Sequence, residues 1–369
     1  VRTIGVEEEF LLVSEDGSPR AVAAAALQHA SSQDGDDDPD QPGGNLEKEF
    51  AQEQIETSTH PCEDLPSLLE EVRAGRWRAD TSAQHAGARI AALATSPRDA
   101  DPTVVVNRRA QDIAEAFAQT ARDQLTSGCH VHVEVADDEE GVRVVDHLRR
   151  WNAVLLALSA NSPYWRGEDS GYASFRSQVW GRWPTAGPTA PFGDAATYRS
   201  TVEALVASGT ILDDGMVYFD ARLSARYPTV EVRVADVCLD PEDAVLLGAL
   251  VRGLAETALD PATTTMPQPR AEVVRVAGWR AARSGLTGDL LSPGTGRPVP
   301  AATAVDELLR HVTPALEATG DLAWVTEHLA ALLRRGNGAQ QQRLWRHEGA
   351  DEAELVRRAV RSTLAGAGA

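Results

Sequence analysis

The sequence predicts a mixed α and β protein in which strands line a polar cavity and amphipathic helices cover the sheet from outside. Three stretches carry that expectation. Ile4 to Leu12, I-G-V-E-E-E-F-L-L, sets three carboxylates inside an apolar run. Ser127 to Val135, S-G-C-H-V-H-V-E-V, alternates polar residues with valine. Met216 to Leu223 and Thr229 to Val237 are joined by a turn at Arg226-Tyr227-Pro228 and carry charges of both signs. Each has the two-residue period of a strand with unlike faces.

Along the first strand Glu7 and Glu9 share one face, and Val6, Glu8 and Phe10 share the other. Two neighbouring buried anions are costly unless a positive charge lies between them, which a hard divalent cation supplies. A solvated edge strand is the alternative at this point. Glu8, on the far face, is expected to meet a salt bridge or water. Asp16 to Pro19 reads as a turn, Ala21 to Ala30 as a short helix, and Ser31 to Gly44 as a solvated acidic loop without the spacing of an EF-hand. Leu46 to Thr59 brings Glu47, Glu49, Glu53 and Glu56 around Phe50 and Ile55 with a period that fits helix and bulged strand alike. Glu63 to Ala94 and Asp112 to Leu125 read as amphipathic helices.

In the second strand His130, His132 and Glu134 fall on one face, opposite Val131, Val133 and Val135. Such a row suits metal ligation or nucleotide contact. Val142 to Ala160 predicts a long helix over a sheet face. Ser162 to Pro191, rich in Trp, Arg, Gly and Pro, predicts a loop folded over a site. In the hairpin Asp220 and Arg222 share a face, and Glu231 and Arg233 share one opposite Val230, Val232 and Val234. Further helices are expected at Thr197 to Ala207, Pro241 to Leu259 and Ala304 to Leu333.

Composition narrows the chemistry. A formal charge of -20 over 369 residues argues against a nucleic-acid partner, which needs a basic surface. Three scattered cysteines fit a reducing cytoplasm better than a disulfide framework or zinc cage, and no apolar run is long enough to span a bilayer. Lys48 is the only lysine, so a P-loop or Schiff-base lysine is all but excluded, and arginine and metal are left to handle phosphate. Acids on two early segments, a histidine row and a Glu-x-Arg strand amount to a site for two or more magnesium (Mg2+) or manganese (Mn2+) ions. Arg222 and Arg233 supply phosphate contacts, an inventory suited to γ-phosphoryl transfer from ATP.

The motifs G-V-E-E-E-F, E-F…Q-I-E, S-G-C-H-V-H-V, G-Y-A-S-F-R…W-G-R-W-P, P-T-V-E-V-R-V-A-D-V and W-R-A-A-R follow one another in the order of a known family. From Gly5 to about Arg343 the chain resembles the glutamate–cysteine ligase type 2 family, bacterial carboxylate–amine ligases of the glutamine synthetase superfamily. The resemblance implies one α+β ligase domain over residues 1–369, a curved, mainly antiparallel sheet forming a funnel backed by helices, with ATP at one end and the carboxylate at the other. It implies that Glu7, His130 and Glu231 hold a metal on the nucleotide phosphates, and that Glu9, Glu49 and Glu56 hold another near the substrate, with Glu53 an alternative to Glu49. Arg233 and Arg222 would bind the transferring phosphate and, with Glu231, carry catalysis. His132 would lie near the nucleotide, and Arg176, Arg182 and Arg280 would meet substrate carboxylates. Glu134 stands where many relatives carry a small residue.

The implied reaction joins a carboxylate, the glutamate γ-carboxylate, to an amine, that of cysteine, through an acyl phosphate, releasing ADP and phosphate. Small-molecule amino acids are then the partners, and a homo-oligomer is left open. A phosphotransferase to a guanidino acceptor and a non-catalytic metal- or nucleotide-binding relative remain the alternatives.

Overall fold

The computed structural model describes residues 1–33, 43–261 and 268–367. Most of the acidic stretch between Ser31 and Gly44 lies outside them. A seven-stranded sheet organises the rest: β1 (Ile4–Val13), β2 (Asn45–Lys48), β3 (Gln54–Ser58), β4 (Arg89–Ala91), β5 (Gly128–Glu134), β6 (Ala221–Leu223) and β7 (Thr229–Asp236). Their order is β2-β3-β1-β5-β7-β6, with β4 also on β1, and every pairing is antiparallel.

β1 is the axis of this sheet. Glu7 pairs with both Ser58 and His130, and Leu11 with both Gln54 and Ala91, so β3 runs along one edge while β5 and then β4 share the other. Alternation then sorts the side chains. Ile4, Val6, Cys129, Val131, Val133, Val230 and Val232 point into one buried apolar cluster, as expected of their faces. That cluster is completed by the Pro241–Ala258 helix, which is apolar nearly all round and is itself covered by the Leu65–His85, Asp138–Leu148, Ala301–Thr319 and Leu322–Arg335 helices. Farther along β1, Phe10 packs with Ile55, Ala79, Ala83 and Ile90. Among the described residues no helix is long and apolar enough to cross a membrane.

Glu8 meets the salt bridge expected of it. Arg76, fully buried on the Leu65–His85 helix, donates Nε to Glu8 Oε2 at 2.9 Å and Nη2 to Oε1 at 2.6 Å. Its remaining N–H groups reach the carbonyls of Cys238, Leu239 and Thr363. All five guanidinium donors are thereby used, which is what makes a buried charge tolerable.

Several expected elements are shorter than their periodicity suggested. The helix predicted over Glu63 to Ala94 starts at an Asp64 cap, whose carboxylate accepts from Ser67 N at 2.8 Å, and ends at His85. Gly87, at φ +70°, turns the chain so that Ile90 lies in β4. The long helix over Val142 to Ala160 is two, Asp138–Leu148 and Asn152–Ser159, and at the break Arg149 donates to the carbonyls of Thr189 and Pro269. Asp112 to Leu125 divides at Ala118, at φ +48°, into Arg108–Phe117 and Gln119–Arg122. The ambiguous Leu46 to Thr59 segment is β2 and β3, joined by a bend that carries Glu49. The stretch from Met216 narrows to β6, preceded by a 3-10 turn at Asp214–Met216.

One irregularity reshapes the site. Cys129 pairs with Ala235 and Val131 with Val232, so His130 on β5 faces two residues of β7, Arg233 and Val234. This is a β-bulge, and it shifts the alternation of β7 by one. Ala235 therefore joins Val230 and Val232 in the apolar cluster, and Asp236 turns to the face of Glu231 and Arg233.

Candidate active site

The polar faces of β1, β3, β5 and β7 border one cavity of about 1020 Å³. Strand register assembles its side chains. Glu9 lies opposite Glu56, Glu7 opposite His130, and Glu231 opposite both His132 and Arg222. Among the described residues, three groups offer ligand atoms within 4.8 Å of one another: Glu9 with Glu49 and Glu56, Glu7 with His132 and Glu231, and Glu7 with Glu56 and His130. The expected acid trio is thus gathered as such. Of the expected Glu7, His130 and Glu231 set, His130 Nδ1 lies 3.4 Å from Glu7 and 3.9 Å from Glu231, with its Nε2 3.7 Å from Glu9, while the tighter group around Glu7 and Glu231 is completed by His132.

The electrostatics say what these groups lack. Burial, then the charge of Glu49, pushes the Glu9 carboxyl up to about 7. Glu56 is driven well above the ordinary range by burial and by Glu49, Glu7 and Glu9. Carboxylates that raise one another in this way have no adequate counter-charge, and a divalent cation among them would restore the anions. Burial, then Arg233, lowers His130 to about 4, leaving it neutral, the form that binds metal. The buried Nε2 of His130 makes no hydrogen bond, and that of His132 lies 3.2 Å from Glu7 Oε1. Mutually raised acid oxygens and the neutral His130 imidazole, with its Nε2 unbonded, fit a hard or borderline divalent ion.

Glu7 differs: burial works against its charge, yet His130 and His132 hold it far below the usual carboxylate range. Glu231 is likewise depressed against its burial, here by Arg233 and Arg222. Arg222 donates Nε to Glu231 Oε2 at 2.7 Å, and Arg233 pairs with the same carboxylate. The Arg233 guanidinium lies 5.6 Å from the Trp180 ring and 6.0 Å from Tyr218, so aromatic faces as well as Glu231 fix it.

The model for glutamate–cysteine ligase family 2 (GCS2) matches residues 3–362. The chain belongs to glutamate–cysteine ligase family 2. Over 366 residues it is 50% identical to a protein of Streptomyces avermitilis provisionally named glutamate–cysteine ligase 2-1, covering 98% of this chain and 99% of that one. It is 49% identical over 368 residues to a provisionally named glutamate–cysteine ligase 2 of Streptomyces coelicolor, at 99% and 100% coverage. Solved structures share the fold. The glutamate–cysteine ligase of Francisella tularensis in complex with AMP superposes with TM-score 0.68 at 11% identity, over 98% of this chain and 89% of that one. The bifunctional glutathione synthetase of Pasteurella multocida gives 0.69 at 16% identity over 99% of this chain, which spans 52% of that longer one. Family 2 comprises ATP-dependent carboxylate–amine ligases, and the chain is an enzyme of that class.

Within this family-2 fold the three loop and helix arginines part company. Arg176 is 2% exposed and does not border the cavity; its Nη atoms lie 3.5 Å from the Arg233 carbonyl oxygen and its guanidinium 5.7 Å from Trp180. Arg182 is exposed and pairs with Asp123 at 3.3 Å, and Arg280 lies on the Ala271–Ser284 helix; neither reaches the cavity. A loop composition predicts that arginines are present but not which way the loop folds them. Glu49 borders the cavity, whereas Glu53 accepts from Thr103 N at 2.9 Å and does not. Glu134 sits at the rim, its carboxylate accepting from Thr3 N and Oγ1.

Two residues escape sequence reasoning. Asp236, turned inward by the bulge and fully buried, accepts from Ser162 Oγ, Ser174 Oγ and Asn161 N, anchoring the long loop to the sheet. Gly128 leaves the space that Arg176 fills: a Cβ there would stand 2.2 Å from Arg176 Nη2 and 3.0 Å from His130 Nε2. Its place in the alternation, one position before Cys129 on the histidine face, was the available signal.

Proposed function

We propose that the chain acts as one ATP-dependent ligase domain that activates a carboxylate as its acyl phosphate and passes the acyl group to an amine. Glutamate, through its γ-carboxylate, and cysteine are the pair the family's name supplies. The observation that carries this reading is the convergence, in one cavity, of the Glu9, Glu49 and Glu56 cluster with the Glu231-bound Arg222 and Arg233. Glu9, Glu49 and Glu56 would hold one Mg2+ or Mn2+, and Glu7, His132 and Glu231 a second, with His130 between them. Divalent ions so held supply Lewis acidity and offset phosphate charge.

The chain's own residues do the rest. Arg222 and Arg233 present rigid donors to a transferring phosphoryl group, with Glu231 and the Trp180 and Tyr218 rings setting their direction. His132, held by Thr229 Oγ1 at 2.9 Å, faces the nucleotide side with Tyr227 edge-on at 6.4 Å. The substrate carboxylate attacks the γ-phosphorus and ADP departs; the amine then displaces phosphate from the acyl carbon. No enzyme nucleophile is required, in keeping with the burial of Cys129 on the apolar face.

ADP and phosphate release from ATP and glutamate, with and without an amine, tests the reading. Amine-dependent phosphate release matched by an amide of the expected mass supports it. Phosphorylation of a guanidino compound without amide, or no turnover with any carboxylate and amine, overturns it.

A further inference from the structure

One end of the cavity is built unlike the rest. Beside the acid cluster, where Phe50 N donates to Glu49 Oε2 at 2.9 Å, the lining turns apolar: Phe50, Val105, Ile113, Trp180, Trp183 and Tyr218. The rings support one another, with centroids 4.8 Å apart for Trp180 and Tyr218 and 5.6 Å for Trp183 and Tyr218. Arg233 faces the Trp180 and Tyr218 rings but is paired with Glu231, and three further polar groups here are already engaged. Trp183 Nε1 donates to Gln124 Oε1 at 3.0 Å, and Asn107 Oδ1 accepts from Ala110 N at 2.8 Å. Arg109, one residue before Ala110, is held by both oxygens of Asp213 at 2.9 Å.

Resting on the ligase reading above, we propose that this wall is the acceptor site and that the acceptor is a primary amine with a branched or aromatic hydrocarbon side chain, without a carboxylate, in preference to cysteine. Two physical arguments lead there. A cysteine would bring its own carboxylate to a wall whose nearby cations are committed, Arg109 to both oxygens of Asp213 and Arg233 to Glu231 and the phosphoryl group, so binding would have to break one of those pairs or leave an anion unpaired. The donor carboxylate must stay charged, and the place for it is near the arginines. The amine must instead react as the free base, and the apolar rings disfavour the ammonium form once a cation neutralises the adjacent acid cluster. In the step itself the nitrogen lone pair forms the C–N bond, and the C–O bond to phosphate breaks with its electron pair. The amine's proton leaves with inorganic phosphate, so atoms and charge balance without a further reagent.

The experiment uses the full chain with ATP and Mg2+. Hydroxylamine traps any acyl phosphate as a hydroxamate and reports the donor half-reaction by itself. With glutamate as donor, phosphate release and amide mass are then measured for cysteine, ethylamine, 3-methylbutylamine and 2-phenylethylamine. One methylene in an apolar pocket changes specificity by about 10-fold or more. The two larger amines are therefore expected to exceed cysteine in kcat/KM by at least about 10-fold. Val105→Asn and Ile113→Asn, made separately, should each shrink that ratio.

Amide formation with cysteine equal to or better than with the larger amines, alongside hydroxamate from glutamate, overturns the acceptor assignment and leaves the ligase reading standing. So does a ratio that neither variant moves. A gain seen only when the apolar group is carried by the carboxylate assigns the wall to the donor and overturns the proposal. No hydroxamate from glutamate or from apolar carboxylates overturns both readings.

Discussion

Gly128→Ala isolates the packing beneath the site. The added Cβ would lie 2.2 Å from Arg176 Nη2 and 2.9 Å from its Cζ. Ordinary contact begins near 3.5 Å, so the guanidinium must retreat by roughly 1 Å. Arg176 is 2% exposed, and a close-packed interior gives it little room. Overpacking of this kind costs about 1–3 kcal/mol, and the loss of glycine's unfolded-state freedom returns about 0.4–1 kcal/mol, leaving a net cost of about 1–2 kcal/mol. At roughly 2.1 cal/mol/K per residue, a chain of this length loses only about 1–3 °C in Tm. Turnover is the sensitive readout. Movement by about 1 Å next to His130 and Glu9 is expected to lower kcat/KM by about 100-fold. A melting curve and steady-state kinetics on the same preparation separate the two effects. A Gly128→Ala protein within about threefold of wild-type kcat/KM would refute the claim that this gap positions the site.

Glu8→Ala strands the buried Arg76 charge and should destabilise the fold by about 3–5 kcal/mol in chemical denaturation. Glu8→Met with Arg76→Met should recover only part of that, because Cys238, Leu239 and Thr363 lose a donor to their carbonyls; full recovery would contradict the assignment. Burial raises Asp220 to about 6 against an ordinary 3.8. The folded state therefore holds more protons than the unfolded one between these values, and stability falls as pH rises from about 4 to about 6. Asp220→Asn should be the more stable form at pH 7, by up to about 3 kcal/mol, and should reduce the slope without abolishing it, because Asp243, Glu9 and Glu56 are raised as well. An unchanged pH–stability curve would count against it. Glu231→Gln removes the shared counter-ion of Arg222 and Arg233, and kcat/KM is expected to fall by about 10²–10³-fold.

The parts of the site that were legible in the sequence are those that alternation alone determines. Glu7, Glu9, His130, His132, Glu231 and Arg222 each lie on an uninterrupted stretch of strand, so their faces followed from parity, and the apolar valines opposite them confirmed which side was the core. The helices over Val142 to Ala160 and Asp112 to Leu125 were legible as helix but not as broken helix. Periodicity continues across a turn whose cause, such as the Arg149 contacts with Thr189 and Pro269, lies far away in the chain. Glu49 and Glu53 could not be told apart because the bend between β2 and β3 interrupts parity at that point, and Thr103 decides which acid turns away. The loop arginines failed for the same reason on a larger scale: nothing local distinguishes the buried Arg176 from the exposed Arg182.

The bulge in β7 shows how much one residue of register controls. Without it, Ala235 would continue the face of Glu231 and Arg233, and Asp236 would enter the apolar cluster, where no hydroxyl awaits it. With it, Asp236 meets Ser162, Ser174 and Asn161, and the loop that carries Arg176 and Trp180 is fastened to the strand that carries Arg233. Sheet and loop are thus joined at the residue where alternation fails. The direction of Arg233 depends on both at once, through Glu231 on its own strand and the Trp180 ring on the loop. A strict strand would have kept the valines neatly on one side and left the loop without an anchor. The departure from ideal geometry is therefore the local cause of the arrangement on which the proposed chemistry rests.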